Sequence, residues 1–303
     1  MIDAAKTTGT PRTLDVRPHL SEASKPSELI QIKGHQRLSL NARRAITLLW
    51  HNAHRQGIRA GQDYVIEIDD LKPDGHKGYE MVDEAIMALM RTILTVRLPD
   101  GGTRRVQLLG GNDIDDPFRE SGVLHYSFDK RVISILENST IWCKIDLPII
   151  MILTSRYTIS LYENIAQLAG LTRKCSQAFS LQEFRDVLGV ENEKYQSFGA
   201  LNKHIIKPAV QEINALASFT ITLVPEKTGK KVTTIHIKWR TKTDEEIREA
   251  WREVDRPRVG RKARIAGLAE QVLPPAPSQN RLMRRARQES RRFKNDTELP
   301  PKA

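Results

Sequence analysis

The chain has 303 residues, of which 39% are hydrophobic, and its 48 Lys and Arg outnumber 37 Asp and Glu to give a formal net charge of +11. That composition can form the core of one large domain or two ordinary ones, and it excludes a wholly disordered chain. The two cysteines, Cys143 and Cys175, exclude a disulfide framework and a classical zinc finger.

No segment of the sequence predicts insertion into a membrane. The longest uninterrupted apolar run, residues 147–153, is far shorter than the roughly 20 residues that a membrane helix needs. The first residues lack the apolar core of a secretory signal. We therefore predict a cytoplasmic protein with no membrane partner.

The first 34 residues are predicted to form an N-terminal arm. Residues 1–28 balance four basic against four acidic side chains and contain Pro11, Pro18 and Pro26. We expect this segment to lie outside any core.

Residues 35–145 have the pattern of one compact domain. Apolar side chains recur at three- and four-residue spacing in two segments, and alternation marks a hairpin after the second. Helix, turn, helix and hairpin in this order predict a winged helix. The predicted elements are a helix over 40–55, a β run over 64–66, a brief helix over 68–71, a turn over 72–75, a helix over 77–93, a hairpin of 94–98 with 104–109, a β run over 123–128 and a helix over 130–136.

Residues 146–255 repeat that outline with different residues. Ser180 with Glu183, and Thr243 with Glu246, have the spacing of capping boxes that begin helices, and Gly189 is placed to end one. Pro208, inside the longest helix, predicts a kink or a break. The predicted elements are helices over 155–169, 180–189 and 197–217, a hairpin of 219–224 with 231–239 around a tip at 225–230, and a last helix over 243–253.

The longest helix is predicted to read DNA. On a wheel of 100° per residue, a polar and basic group lies opposite the apolar stripe. Such a face suits a major groove, where lysines reach phosphate or guanine and small residues allow close approach. The alternative is that these lysines only solvate a surface helix. The outward group is Gln196, Ala200, Lys203 and Lys207.

The corresponding helix of the first domain is a poorer candidate. It exposes Glu80, Asp83 and Glu84, whose charges oppose the phosphate backbone, and it has basic residues only near its ends, at Lys77 and Arg91. Its hairpin adds Arg104 and Arg105. We expect the first domain to make weaker backbone contacts or a protein interface.

Residues 256–303 predict a disordered basic tail. This stretch carries 13 Lys and Arg against four acids and holds six of the 15 prolines. Few large apolar residues remain to offset the entropy of ordering it. An electrostatic arm for nucleic acid is one interpretation, and a solubilising terminus without a partner is the other.

The enzymatic motifs that we considered are absent or incomplete. His51 and His54 are three residues apart, which does not match the histidine pair of a nicking initiator, and Gly229-Lys230-Lys231 lacks the rest of a phosphate-binding loop. The acidic residues between 113 and 120 lack calcium-loop spacing. We therefore predict no enzyme activity, no cofactor and no metal site.

Several short pieces, in this order and at this spacing, resemble plasmid replication initiators of the RepA/RepB/RepE type. The resemblance covers roughly residues 35–240 and is strongest over 154–239. The pieces are Arg156-Tyr157, Leu161-Tyr162-Glu163, Phe184 with Leu188-Gly189, Tyr195 with Phe198 and Leu201, Ile206-Lys207-Pro208-Ala209, Glu212-Ile213-Asn214 and Lys230-Lys231-Val232.

The resemblance implies an α+β chain of two tandem winged-helix DNA-binding domains. It also implies a protein that binds double-stranded origin repeats (iterons) as a monomer, represses its own gene as a dimer, and recruits the host initiator ATPase and replicative helicase. In a bacterium it would be associated with the nucleoid or a plasmid. The predicted DNA-contacting residues are Tyr195, Gln196, Ser197, Ala200, Lys203, Lys207, Lys227, Lys230, Lys231, Arg173, Lys174, Lys77, Arg91, Arg104 and Arg105.

Two alternatives to an initiator remain open. One is a winged-helix transcriptional repressor without a replication role. The other is an assembly or partition adaptor whose basic tail binds DNA without sequence preference.

Overall fold

The computed structural model describes residues 21–30, 38–72, 79–97, 102–114, 122–137, 139, 141–171 and 175–268. Within these ranges two units of mixed helix and sheet follow each other and share a continuous hydrophobic core. No helix among the described residues is long and apolar enough to cross a membrane. The first unit contains β1 (Glu22–Pro26), α1 (Ser27–Ile30), α2 (Leu40–Gln56), β2 (Tyr64–Glu67), α3 (Ile68–Leu71), α4 (Glu80–Met90), β3 (Ile93–Arg97), β4 (Thr103–Gln107), β5 (Gly111–Ile114), β6 (Val123–Ser127), α5 (Lys130–Glu137) and β7 (Trp142–Asp146).

Helix α2 lies at the centre of the first unit. Its N-terminus is capped by Ser39, whose hydroxyl accepts from the amide of Ala42, and it ends at Gly57, whose φ of 84° favours glycine. Trp50 is fully buried, and its indole N–H donates to the carbonyl of Ser24 at 2.8 Å. Helix α4 packs on α2, next to an antiparallel β2–β6–β5 sheet and the β3–β4 hairpin. The order of helices and hairpin therefore agrees with the prediction.

Residues 22–30 of the predicted N-terminal arm join the core, so our prediction is wrong for this part of the arm. Strand β1 pairs antiparallel with β7, from Glu22 opposite Asp146 to Pro26 opposite Trp142. Ala23 is fully buried. Residues 1–20 lie outside the described residues.

A buried ion pair ties β1 to the rest of the chain. The ammonium of Lys25 contacts the carboxylate of Glu163 at 2.6 Å, and both side chains are almost inaccessible to solvent. Lys25 also donates to the hydroxyl of Thr47 on α2 at 3.3 Å. A polar strand that joins the core through such contacts has no apolar periodicity, so the sequence gives no sign of its burial.

The second unit contains the two capping boxes and the long helix that the sequence predicts. Both partners of each box are hydrogen-bonded, Ser180 with Glu183 and Thr243 with Glu246, and Gly189 is left-handed at φ 71°. Strand β8, which we did not predict, pairs with β10 to complete a three-stranded β8–β10–β9 sheet. The elements are α6 (Leu147–Ile152), α7 (Arg156–Leu171), β8 (Ser176–Ser180), α8 (Leu181–Leu188), α9 (Phe198–Leu201), a π-helical turn (Asn202–Ile206), α10 (Lys207–Leu216), β9 (Phe219–Thr228), β10 (Lys231–Thr241), α11 (Asp244–Asp255) and α12 (Arg261–Ile265).

The long helix continues past Pro208 without a break. Its α9 and α10 halves are joined by the π-helical turn, in which the amide of Lys207 donates to the carbonyl of Asn202, five residues back. Proline has no amide hydrogen and its ring would crowd the carbonyl four residues earlier. The wider π turn accommodates this at the second position of α10. The predicted break does not occur, and the proline is accommodated by a change of helical register instead.

Part of the predicted tail is folded, so the expected start of disorder at residue 256 is wrong. Residues 256–268 follow α11, and α12 packs against α10. Arg261 and Arg264 contact the carboxylate of Glu253 at 3.3 and 2.7 Å. Although burial opposes ionisation of this group, its arginine partners lower the pKa of Glu253. Residues 269–303 lie outside the described residues.

The segment between α6 and α7 is bound by both units. Arg44 of α2 donates to the carbonyls of Ile150 and Leu153, and Glu212 of α10 accepts from the amide of Thr154 at 2.9 Å. Burial raises the pKa of Glu212. These contacts leave the connection little freedom, so they hold the two units in one relative orientation.

Candidate nucleic-acid interface

The exposed face of the α9–α10 helix is polar and basic. Ile205 and Ile206 are both buried on the opposite side. The exposure of the two lysines confirms the helical wheel, although contact with DNA stays a prediction. The predicted reading residues on this face are Gln196, Ser197, Lys203 and Lys207, all exposed, and Ala200, which is half-buried.

The start of the helix leaves room for a close ligand. The hydroxyl of Ser197 caps it by accepting from the amide of Ala200 at 3.2 Å. A Cβ at Gly199 would meet nothing within 4 Å, so no contact inside the protein requires glycine there. Because Gly199 has no side chain, a base edge or a phosphate can approach the backbone of the first helical turn.

The π-helical turn adds one exposed side chain that we did not include. His204 is exposed beside Lys203, and its ring centroid lies 6.0 Å from that of Tyr195. A regular 100° wheel already places His204 away from the apolar stripe, just beyond the group that we included. His204 therefore joins Lys203 in the candidate interface.

The turn before the helix carries Tyr195 in a left-handed conformation, with φ of 51°. Glu191, at the start of the same turn, contacts Lys194 at 2.6 Å and Arg156 of α7 at 3.0 Å. Hydrogen bonds from these two cations lower the pKa of Glu191. The turn is thereby connected to the first residue of α7.

The β9–β10 hairpin forms a wing whose distal half is exposed. Its strands are longer than predicted and close on a two-residue tip, with Lys231 opposite Thr228 and Gly229 at φ 63°. Positive φ at the first tip residue is the pattern of a type II′ turn. Lys227, Lys230 and Lys231 are all exposed on this wing. Their charges are therefore available to a phosphate backbone.

The first unit offers fewer basic groups. Arg91 is exposed just after α4, Arg105 is exposed on β4, and Arg104 is half-buried. Helix α4 itself exposes Glu80 and Glu84, whereas Asp83, which we expected to be exposed, is half-buried. This charge pattern agrees with the expectation that α4 is a poor reader, and whether the arginines touch DNA stays a prediction.

Three predicted contacts lie outside the described residues, namely Lys77, Arg173 and Lys174. One further exposed cation is Lys238 of β10, which lies opposite Ser176 of strand β8. It borders a hollow of about 370 Å³ that Cys175 and Arg240 also line. Without β8 in the predicted fold, nothing in the sequence marked Lys238.

His54 and Cys143, two side chains with metal-binding or nucleophilic chemistry, pack inside the first unit. His54 lies with its ring close to the rings of Trp50 and Trp142, and burial lowers its pKa. Cys143 is buried, which raises the pKa of its thiol. Among the described residues, no group of three or more His, Cys, Asp or Glu side chains is arranged to hold a metal ion.

Both units match models of a known protein family. The family model described as "Initiator Replication protein, WH1" matches residues 22–166, and the model described as "Initiator Rep protein, WH2" matches residues 180–239. The two matches confirm the predicted tandem winged helices. No curated protein matches the chain.

Among solved structures, 21 chains match. One is a crystal structure of Pi initiator protein in complex with iteron DNA, which is 16% identical to this chain, covers 74% of this chain and 98% of that one, and has a TM-score of 0.56. At that identity the likeness establishes the fold alone.

Proposed function

Because this chain belongs to the family of initiator Rep proteins, whose two winged-helix domains it contains in order, we propose that it initiates replication of a plasmid by binding iterons at the origin. Proteins of this family are DNA-binding initiators and not enzymes. The observation that carries the proposal is the exposed basic face of the α9–α10 helix, which lies on the domain matched by the second model. The similar Pi structure contains iteron DNA, which supports the same ligand here.

The second unit supplies most of the sequence recognition. Its helix enters the major groove with Gln196, Ala200, Lys203 and Lys207 toward the bases, while the wing lysines bind phosphate. The first unit adds backbone contacts through Arg91, Arg104 and Arg105. Its acidic α4 surface is unsuited to DNA and suited to a protein partner.

The complete activity includes partners beyond the origin repeats. The protein represses its own gene as a dimer, binds iterons as a monomer, and recruits the host initiator ATPase and replicative helicase in the bacterial cytoplasm. These parts rest on family membership.

An origin assay tests this function. A plasmid whose only origin is this gene with its flanking repeats should replicate in a suitable host, and the same plasmid with Lys203→Ala and Lys207→Ala should not. Failure of the unaltered plasmid, when the purified protein still binds the repeats tightly, would favour the transcriptional repressor instead. Affinity without sequence preference that disappears on deletion of residues 269–303 would favour the adaptor.

A further inference from the structure

A buried arginine lies beneath the turn that leads into the DNA-reading helix. Arg185 of α8 is only 6% exposed. Its described hydrogen bonds all go to main-chain carbonyl oxygens rather than to a carboxylate. The acceptors are the carbonyls of Tyr195 at 2.8 Å, Lys194 at 2.7 Å, Glu191 at 3.0 Å and Asn192 at 3.5 Å.

These carbonyls belong to a single turn of unusual backbone shape. The turn follows Gly189, which is left-handed, and it ends with Tyr195 at φ 51°, a conformation that side chains other than glycine seldom adopt. Such a residue keeps its conformation only where its surroundings hold it. The guanidinium of Arg185 binds the Tyr195 carbonyl directly, so it is placed to hold this conformation.

The turn sets the position of the helix that follows it. Tyr195, Gln196 and the capping residue Ser197 are consecutive, and α9 begins at the next residue. A change at the Tyr195 carbonyl would therefore shift the entry of the helix and the side chains of its first turn. Base reading is sensitive to such shifts, because hydrogen bonds to base edges need close geometry, whereas phosphate contacts tolerate displacement.

We infer that Arg185 is a positioning residue for base recognition, acting through the backbone of the turn rather than by touching DNA. The inference rests on the proposed function, because it assumes that the α9–α10 helix reads the site. Geometry and charge can be separated, because arginine presents five donors in a rigid fork and lysine keeps the charge on a single flexible ammonium.

The test compares Arg185→Lys with Arg261→Lys in the full chain. Arg261 is the control, because it is also buried and donates to three carbonyls outside the turn, those of Glu253, Val254 and Arg256, in addition to the Glu253 carboxylate. Fluorescence anisotropy measures the affinity for the flanking repeats and for scrambled duplex at two salt concentrations. Thermal unfolding is followed on the same samples.

Positioning predicts that Arg185→Lys lowers the preference for the repeats by about tenfold or more, the value of one lost base contact. Affinity for scrambled duplex and its salt dependence should stay unchanged. Arg261→Lys should keep the preference even where it lowers the melting temperature. Retained preference for the repeats in a folded Arg185→Lys protein would overturn the inference about Arg185 and leave the proposed function standing. Absence of preference in the unaltered protein would contradict the proposed function, and the inference with it.

A second pair of variants gives an answer even where Arg185→Lys does not fold. Tyr195→Gly and Tyr195→Ala both remove the ring, but only alanine opposes the positive φ that Arg185 holds. Positioning predicts weaker discrimination for the alanine variant. Equal discrimination by the two folded variants would contradict a role for the turn.

Discussion

Lys203 and Lys207 are the side chains on which the proposed base reading depends most. Both are exposed on the face opposite Ile205 and Ile206. Replacing both by alanine should weaken specific binding by about 1–3 kcal/mol for each lost base contact and by less for each phosphate contact. Anisotropy with the flanking repeats measures this.

Lys130→Ala with Lys262→Ala is the matched control for that change. It removes the same charge from exposed positions in α5 and α12, neither of which belongs to the long helix or the wing. Equal losses in the two double variants would show that charge alone matters, and would contradict the reading role.

Asp146, at the end of β7, makes the stability of the fold depend on pH. Burial, with the neighbouring Glu22 carboxylate adding to it, raises the pKa of Asp146 to about 6, while Tyr162 donates to its carboxylate at 3.2 Å. A group whose pKa is higher in the folded state contributes stability that is complete below its unfolded pKa and is lost as the pH rises through its folded pKa.

Unfolding in urea at several pH values tests this contribution. The free energy of unfolding of the unaltered protein, relative to Asp146→Asn, should fall between about pH 4 and pH 7, because the unfolded pKa of Asp is about 3.9. The asparagine keeps an oxygen that can accept from Tyr162 and carries no charge. A difference in the free energy of unfolding that does not depend on pH would show that the fold does not raise the pKa of Asp146.

The sequence predicts the environment of some residues of the site and not of others. Exposure of Lys203 and Lys207 follows from helical period alone. Arg185 and Glu212 are buried, yet in the sequence they resemble any surface charge, because their partners are backbone groups brought near by the fold. Tyr195 likewise gives no local sign of its positive φ.

The wing is the element that should contribute affinity without sequence preference. Phosphate contacts carry no sequence information, and each one lost should reduce the salt-dependence slope by about 0.9. Replacing Lys227, Lys230 and Lys231 by alanine should therefore lower this slope and the overall affinity while the preference for the repeats remains. Titrations at several salt concentrations give both quantities.

A variant of the same hairpin with the opposite charge change serves as the control. Glu226→Gln removes an exposed acid that contacts His236 at 2.6 Å, so it should raise affinity slightly. An unchanged salt slope in the triple lysine variant would contradict a phosphate-binding wing.

Elements with strong apolar periodicity or local caps could be predicted, and elements held by tertiary contacts could not. Helices α2 and α8 and the β9–β10 hairpin follow from spacing, turn residues and a capping box. Strands β1 and β8 escaped because the first is polar yet buried and the second is mostly exposed, so neither alternates.

At the scale of the whole molecule, the basic C-terminal region has two parts. Residues 256–268 form a folded extension after α11, and residues 269–303 are the remainder of the chain. Truncation after Leu268 keeps α12, and it removes eight Lys and Arg against four acids. We expect an unchanged melting temperature with lower affinity for scrambled duplex and a weaker salt dependence. Calorimetry and salt titration check the two effects.

Truncation after Asp255 should behave differently. It removes Arg256, Arg261 and Arg264, the partners of the Glu253 carboxylate. The free energy of unfolding should fall by roughly 2–3 kcal/mol, the contribution of one or two charge-assisted hydrogen bonds. Equal stability of the two truncated proteins would contradict a structural role for residues 256–268.

The arrangement of the two units rests on contacts that no local pattern announces. Arg44 of the first unit and Glu212 of the second both bind the α6–α7 connection, and Lys25 and Glu163 join β1 to α7. Family resemblance predicted two tandem domains, and composition predicted a basic C-terminus. Neither predicts the docking of residues 256–268, because Arg261 and Arg264 become core contacts only once Glu253 is in place.

The central claim is that the second unit recognises a DNA sequence, and fluorescence anisotropy tests it most directly. The purified full chain is titrated with the repeated DNA that flanks its gene and with scrambled duplex, each at two salt concentrations. Base reading predicts a preference for the repeats that survives at the higher salt, since only the phosphate contribution is screened. Equal binding to both duplexes that disappears with salt would contradict the claim.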